Sequence, residues 1–215
     1  MKQITIQKSK RKVNRTKRAK IGSHGFKVYK NTYVYIAKAT EGGWSRSGKP
    51  APKAEVVNAI KNHFNSSKSI RKMVKHIKRI KITYSDSNKF AGSWNNKKQE
   101  FAYIDSSRMS AADAIEVMIH EIDGHAFWNW AEKWRNEEWA AFNEVVNAMP
   151  PVNEYVATYQ KYRCDDRTNT IYENEQHSAI TEIIVNGNSY HKRNGNCATP
   201  EQIQIMIDAW EAMHY

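Results

Sequence analysis

Cysteine is almost missing from this chain of 215 residues, which holds only Cys164 and Cys197. Two thiols are too few for a disulfide framework or a four-thiolate zinc site, and sequence neither shows nor refuses a bridge between them. Long apolar runs are missing too. No stretch of 18 apolar residues occurs, and the basic N-terminus is not followed by the apolar segment of a secretory signal, so the chain is expected in the cytoplasm without a membrane span. Acid is missing from residues 1–40, which carry 12 Lys or Arg before the first carboxylate, Glu41. Residues 41–82 add 11 bases against Glu41 and Glu55, leaving residues 1–82 at +21 and residues 83–215, with 11 bases and 20 acids, at −9. The formal net charge of +12 therefore describes one end of the molecule.

What is present argues for a folded chain. At 40% hydrophobic residues, with seven Trp and eleven Tyr, it can bury a real core, and disorder throughout is excluded. Residues 8–20 hold eight bases and Val13 as their only apolar β-branched residue. They read as part of a solvated arm over residues 1–20, ahead of one domain over 21–215. That domain has a sheet and helix part to about residue 105 and a helical part after it.

Around Lys30-Asn31, residues 25–39 are β-branched and aromatic and suggest a hairpin or two short strands. Residues 41–52 form a loop by composition. Val56, Val57, Ile60 and Phe64 have helical spacing, and Ile70, Met73, Val74 and Ile77 repeat it. Residues 79–84 alternate as a strand, 85–93 are turn-rich, and 100–104 form a second strand, together predicting a small antiparallel sheet. Ser110 and Asp113 cap a helix running through residues 111–130. A Trp-rich helix over 131–148 follows, closed by Pro150-Pro151. Another is expected over 173–185, ended by Asn186-Gly187, and a last one opens at Thr199-Pro200-Glu201-Gln202 with Ile203, Met206, Ile207 and Trp210 on one face.

Late in the first of these helices stands His120-Glu121-Ile122-Asp123-Gly124-His125. Neutral imidazoles bind Zn²⁺, and an adjacent Glu can take a proton from zinc-activated water. The usual histidine spacing of four residues, about 400°, brings both rings to one face, whereas five residues leave them about 140° apart on a regular helix. A one-residue π-bulge restores the match, and Gly124 makes the distortion cheap.

On these residues the segment resembles the zincin metallopeptidases, and its His-Glu-x-x-Gly-His spacing is similar to the zinc signature of the dipeptidyl peptidase III enzymes. The resemblance implies an α+β zincin-like domain, a small antiparallel sheet with an active-site helix and following helices. It further implies a zinc-dependent peptidase of the gluzincin type, with His120, His125 and a later Glu as ligands and Glu121 as general base. Asn174, Glu175 and Ser178 resemble the Asn-Glu-x-x-Ser-Asp pattern of the ligand helix and favour Glu175, while Glu154 competes. Tyr155, in a segment that follows Pro150-Pro151 and resembles the Pro-x-x-Tyr-small segment of short zincin-like peptidases, becomes the candidate oxyanion stabiliser. The family's acidic residue after the Ser is Ala179 here, so Glu182 or Asp123 must orient a ligand histidine. The strand at 100–104 takes the place of the substrate-binding edge.

Outside the motif, His63 and His76 lie among lysines and read as surface residues, and His177 stands two residues from the proposed ligand. Trp128, Trp130, Trp134 and Trp139 have helical spacing and read as core. A peptide or protein substrate is the implied partner. The basic arm adds an alternative, a nucleic-acid-binding protein or one with an acidic partner, whose zincin-like core is structural or degenerate.

Overall fold

The computed structural model describes residues 26–28, 32–36, 54–77, 79–85, 92–97, 100–104, 110–163, 170–187 and 195–215. The basic arm, the 41–52 loop and Cys164 lie outside these residues, whereas Cys197 is a free, exposed thiol. The architecture is α+β. Strands β1 (Phe26–Lys27) and β2 (Tyr33–Ile36) pair antiparallel, as the Lys30-Asn31 break suggests. Helices α1 (Ala54–Ser66) and α2 (Lys68–Met73) then return the chain so that β3 (Arg79–Ser85) runs parallel to β2. Thr32 ties the two ends of this unit, its hydroxyl reaching the carbonyls of Val74 and Ile77 at 3.1 and 2.6 Å.

The expectation of an antiparallel sheet is corrected here, because the five strands form a mixed sheet in the order β1-β2-β3-β5-β4. Strand β4 (Gly92–Asn95) overlaps the end of the turn-rich stretch and was not anticipated. Its extra reversal of direction turns β5 (Glu100–Ile104) parallel to β3 and antiparallel to β4. The expected substrate-binding edge is also corrected: β5 is interior, and β4 is the edge, lying close to the segment that carries the histidine motif.

Two apolar cores follow. The first joins the sheet to α1 and α3 (Ala111–Met118), with Val34, Ile60, Phe64, Val74, Ile80 and Met118 wholly buried. Each such large side chain contributes roughly 1.5–3 kcal/mol. Helix α3 starts as expected in a capping box, Ser110 and Asp113 each bonding the other's backbone N–H at 3.2 and 2.9 Å.

The second core packs α4 (Phe127–Trp134), α5 (Asn136–Ala148), α7 (Ile171–Asn186) and α8 (Pro200–His214), with the short α6 (Glu154–Ala157) beside them. The helix expected over 131–148 breaks at Arg135, whose φ of −139° is not helical. The Arg135 guanidinium bonds Glu138 at 2.7 Å and also the Met213 carbonyl, pinning the break to the end of α8. Past this break the tryptophan series divides. Trp128 and Trp139 are buried and Trp130 packs on the core, but Trp134, contrary to expectation, is 74% exposed. Helix α7 ends at Gly187, whose φ of 65° is the left-handed conformation a glycine C-cap requires.

His177 is buried in this core among Phe127, Trp128, Phe142 and Trp210. Its Nε2 lies 3.1 Å from that of His214, which is stacked between Phe127 and Trp210 at centroid distances of 3.6 Å. Burial, reinforced by His125 and His120, pushes His177 down to about 3, and burial beside His177 holds His214 well below its ordinary value. Unfolded, both titrate near 6.5, so below that pH the unfolded chain binds more protons than the folded one. Stability should therefore be intact above pH 6.5 and fall as pH drops from 6.5 toward 3. Replacing His214→Phe, which keeps a ring in the stack, should flatten the dependence of urea midpoint on pH between 6.5 and 4.5; an unchanged slope would acquit the pair.

Candidate metal centre

Between the two cores the chain widens into a π-helical segment, Ile119–Ala126, that joins α3 to α4 without a break. This is the geometry the five-residue histidine spacing demands. The imidazoles of His120 and His125 come to one face with ring centroids 4.6 Å apart and planes at 88°. One ligand atom each from His120, Glu121 and His125 lie within 4.8 Å of one another, a group that could hold a metal ion.

Helix α7 supplies the opposite wall. Glu175 brings Oε2 to 3.2 Å from His120 Nε2 and Oε1 to 3.6 Å from His125 Nε2. The other nitrogens of the two rings are occupied. His120 Nδ1 lies 2.6 Å from Glu182 Oε1, and His125 Nδ1 lies 2.8 Å from Asn174 Oδ1 and 3.2 Å from Ser178 Oγ. A proton on each Nδ1 satisfies these acceptors and leaves each Nε2 lone pair facing Glu175. Residues 174, 175, 178 and 182 recur at about one helical turn, so a single face of α7 carries the carboxylate and all three ring partners.

The electrostatics invite a cation. Burial alone would lower the His120 pKa, but the neighbouring carboxyl groups of Glu175 and Glu182 outweigh it and hold the imidazole well above its ordinary value. Burial likewise opposes ionisation of Glu175, but His120, His125 and a hydrogen bond from Tyr155 prevail and lower its pKa. Burial wins at Glu182 and raises it. Glu175 Oε2 is buried, and its contact with His120 is not aligned as a hydrogen bond, so the oxygen lacks a hydrogen-bond partner. A carboxyl group that turns one oxygen toward each of two Nε2 atoms, with one of those oxygens buried and unpartnered, is a donor set that fits a shared metal ion.

The residues singled out from sequence can now be placed. His120, Glu121, His125 and Glu175 converge, and the Tyr155 ring lies 6.0 Å from that of His120, its hydroxyl 3.2 Å from that of Tyr159. Glu154 does not join them: it is exposed, and its carboxyl group is turned toward Gly195. Of the two candidates for orienting a ligand, Glu182 touches His120, while Asp123 turns away to His63. Ala179, where the resembled Asn-Glu-x-x-Ser-Asp pattern carries an acid, is buried in the helical core. His63 and His76 are not the surface residues expected: His63 lies 3.4 Å from Asp123, and His76 reaches the Ala126 carbonyl at 3.2 Å beneath Trp130. Nothing in local sequence marks these pairings, because they join segments 50 and 60 residues apart.

No family model, curated protein or solved structure matches the chain. The centre therefore has to be understood from its own geometry.

Gly124 matters for a different reason from the backbone freedom its sequence position suggests. A Cβ there would stand 2.3 Å from Ser178 Oγ and 2.9 Å from Ser178 Cα, so the π segment and α7 touch at a point where no side chain fits. Gly124→Ala should cost about 1–3 kcal/mol in urea denaturation, and adding Ser178→Gly should recover part of the loss. Equal stability of Gly124→Ala and the parent would show that the helices separate freely.

Proposed function

We propose that the protein is a zinc-dependent peptidase with a zincin-like, gluzincin-type catalytic domain. The observation carrying this reading is the convergence of His120, His125 and Glu175, with His120 backed by Glu182 and with Glu121 in the same cluster. Two histidines and one carboxylate leave a coordination position open, the arrangement of a catalytic rather than a closed structural zinc site. When bound, the ion supplies a Lewis acid that activates water at neutral pH and polarises a carbonyl.

The chain's own residues account for the remainder. Glu121, partly accessible and adjacent to His120, accepts the proton as water attacks the scissile carbonyl and delivers it to the departing amine. The Tyr155 hydroxyl, beside Glu175 and helping to hold its carboxyl ionised, stabilises the developing oxyanion by donation. Strand β4, the edge of the sheet among the described residues and close to the π segment, offers main-chain groups to an extended peptide. Among the described residues no helix is long and apolar enough to cross a membrane.

Metal analysis of the purified protein should find about one zinc ion per chain, lost in Glu175→Ala. Glu121→Gln should keep the ion while peptide cleavage falls about 10²–10⁴-fold, and Tyr155→Phe should lower kcat more than it raises KM. A Glu121→Gln protein that cleaves as fast as the parent would sink the assignment. A zinc-free protein whose binding to duplex DNA weakens steeply with salt would favour the nucleic-acid alternative.

A further inference from the structure

Asp123 lies inside the π segment, wholly buried, yet takes no part in the proposed chemistry. Its Oδ2 is 3.4 Å from Nε2 of His63, on the last turns of α1, and its Oδ1 has no hydrogen-bond partner. The pair sits in apolar company: Phe64, Met118, Ile122 and Ala126 belong to the surrounding core, and the His63 ring meets that of Phe64 edge-on at 5.4 Å. A buried carboxylate with an unsatisfied oxygen is unfavourable where an aliphatic side chain would pack. Stability does not account for it.

Register does. A π segment competes with the regular α-helix, which saves the inserted residue but turns His120 and His125 about 140° apart. Asp123 stands between the two histidines, so a return to α geometry would rotate it relative to α1 and break its contact with His63. The contact therefore favours the register in which both imidazoles face α7. We propose that Asp123 and His63 form a register lock: positioning residues through which α1, in the sheet-bearing part of the molecule, holds the metal-binding face of the π segment in place.

The inference rests on the metal-centre reading only for one of its two tests. The first is zinc affinity by competition with a chromophoric chelator. Asp123→Leu should fold with a thermal midpoint at or above the parent's without metal, yet bind zinc about tenfold or more weakly. His63→Phe, which removes the partner from the other side, should do the same, and Asp123→Asn, which keeps an acceptor toward His63, should bind nearly as the parent. Parental affinity in both Asp123→Leu and His63→Phe would overturn the lock. The second test needs no metal: a crystal structure of Asp123→Leu, or of His63→Phe if that variant alone folds, should show residues 119–126 relaxed toward an α-helix with the two imidazoles apart. A retained π segment would overturn the proposal even if the parent bound no zinc, an outcome that would separately overturn the metal reading.

Discussion

The contact between Gly124 and Ser178 is the constraint on which the rest of the structure depends. Two histidines come from one helix and the carboxylate facing them from another, so the distance between the helix axes sets whether the three groups meet. With no Cβ on Gly124 the backbones approach until Glu175 lies 3.2 and 3.6 Å from the two Nε2 atoms. Ser178, the residue touched, also reaches His125 Nδ1, so packing and ring orientation are fixed at one place. The π segment can be held this tightly because it is anchored in both cores, through Met118, Ile122 and Ala126 on the sheet side and Phe127 on the helical side.

Helix α7 bears the cost of this arrangement. Glu173, Glu175, Gln176, His177, Ser178, Thr181 and Glu182 are all buried, an unusual load of polar groups for one helix. Those distant from the centre are bound to the scaffold. Glu173 accepts from Asn147 at 2.7 Å, Gln176 accepts the Val152 N–H at 2.8 Å, and Thr181 accepts the Trp210 indole N–H at 2.8 Å. They lock α7 to α5, to the segment before α6 and to α8, which leaves Glu175 and Glu182 little freedom to turn from the histidines. The aromatic packing of Trp128, Phe142, Tyr172 and Trp210 supplies the apolar burial that offsets so many desolvated polar groups.

Much of this was legible in the residues. Periodicity located α1, α5, α7 and α8, caps marked the starts of α3 and α8, and the five-residue interval between His120 and His125 required the wide turn that is found. These signals are local, since each rests on residues within one or two helical turns. What escaped was set by partners distant in sequence. Four residues of β4 next to a turn-rich stretch carry little periodicity, and missing them changed the predicted direction of β5. Trp134 kept the spacing of a core residue, but Arg135 ends the helix there by bonding α8. His63 looked superficial beside its lysines because nothing near it announces Asp123.

The division of charge along the chain takes on a structural meaning at the centre. His120 stands between the buried carboxyl groups of Glu175 and Glu182, and His125 faces that of Glu175. A proton on His120 can answer Glu182, but Glu175 Oε2 is left without a hydrogen-bond partner, and His125 Nε2 lies 3.6 Å from Glu175 Oε1. The two Nε2 atoms and Glu175 are the groups that would hold a divalent ion, with Nδ1 of His120 keeping its bond to Glu182. That convergence is the physical ground on which a metal is proposed here. The groups proposed to hold it, His120, His125 and Glu175, all belong to the acidic part of the chain, residues 83–215.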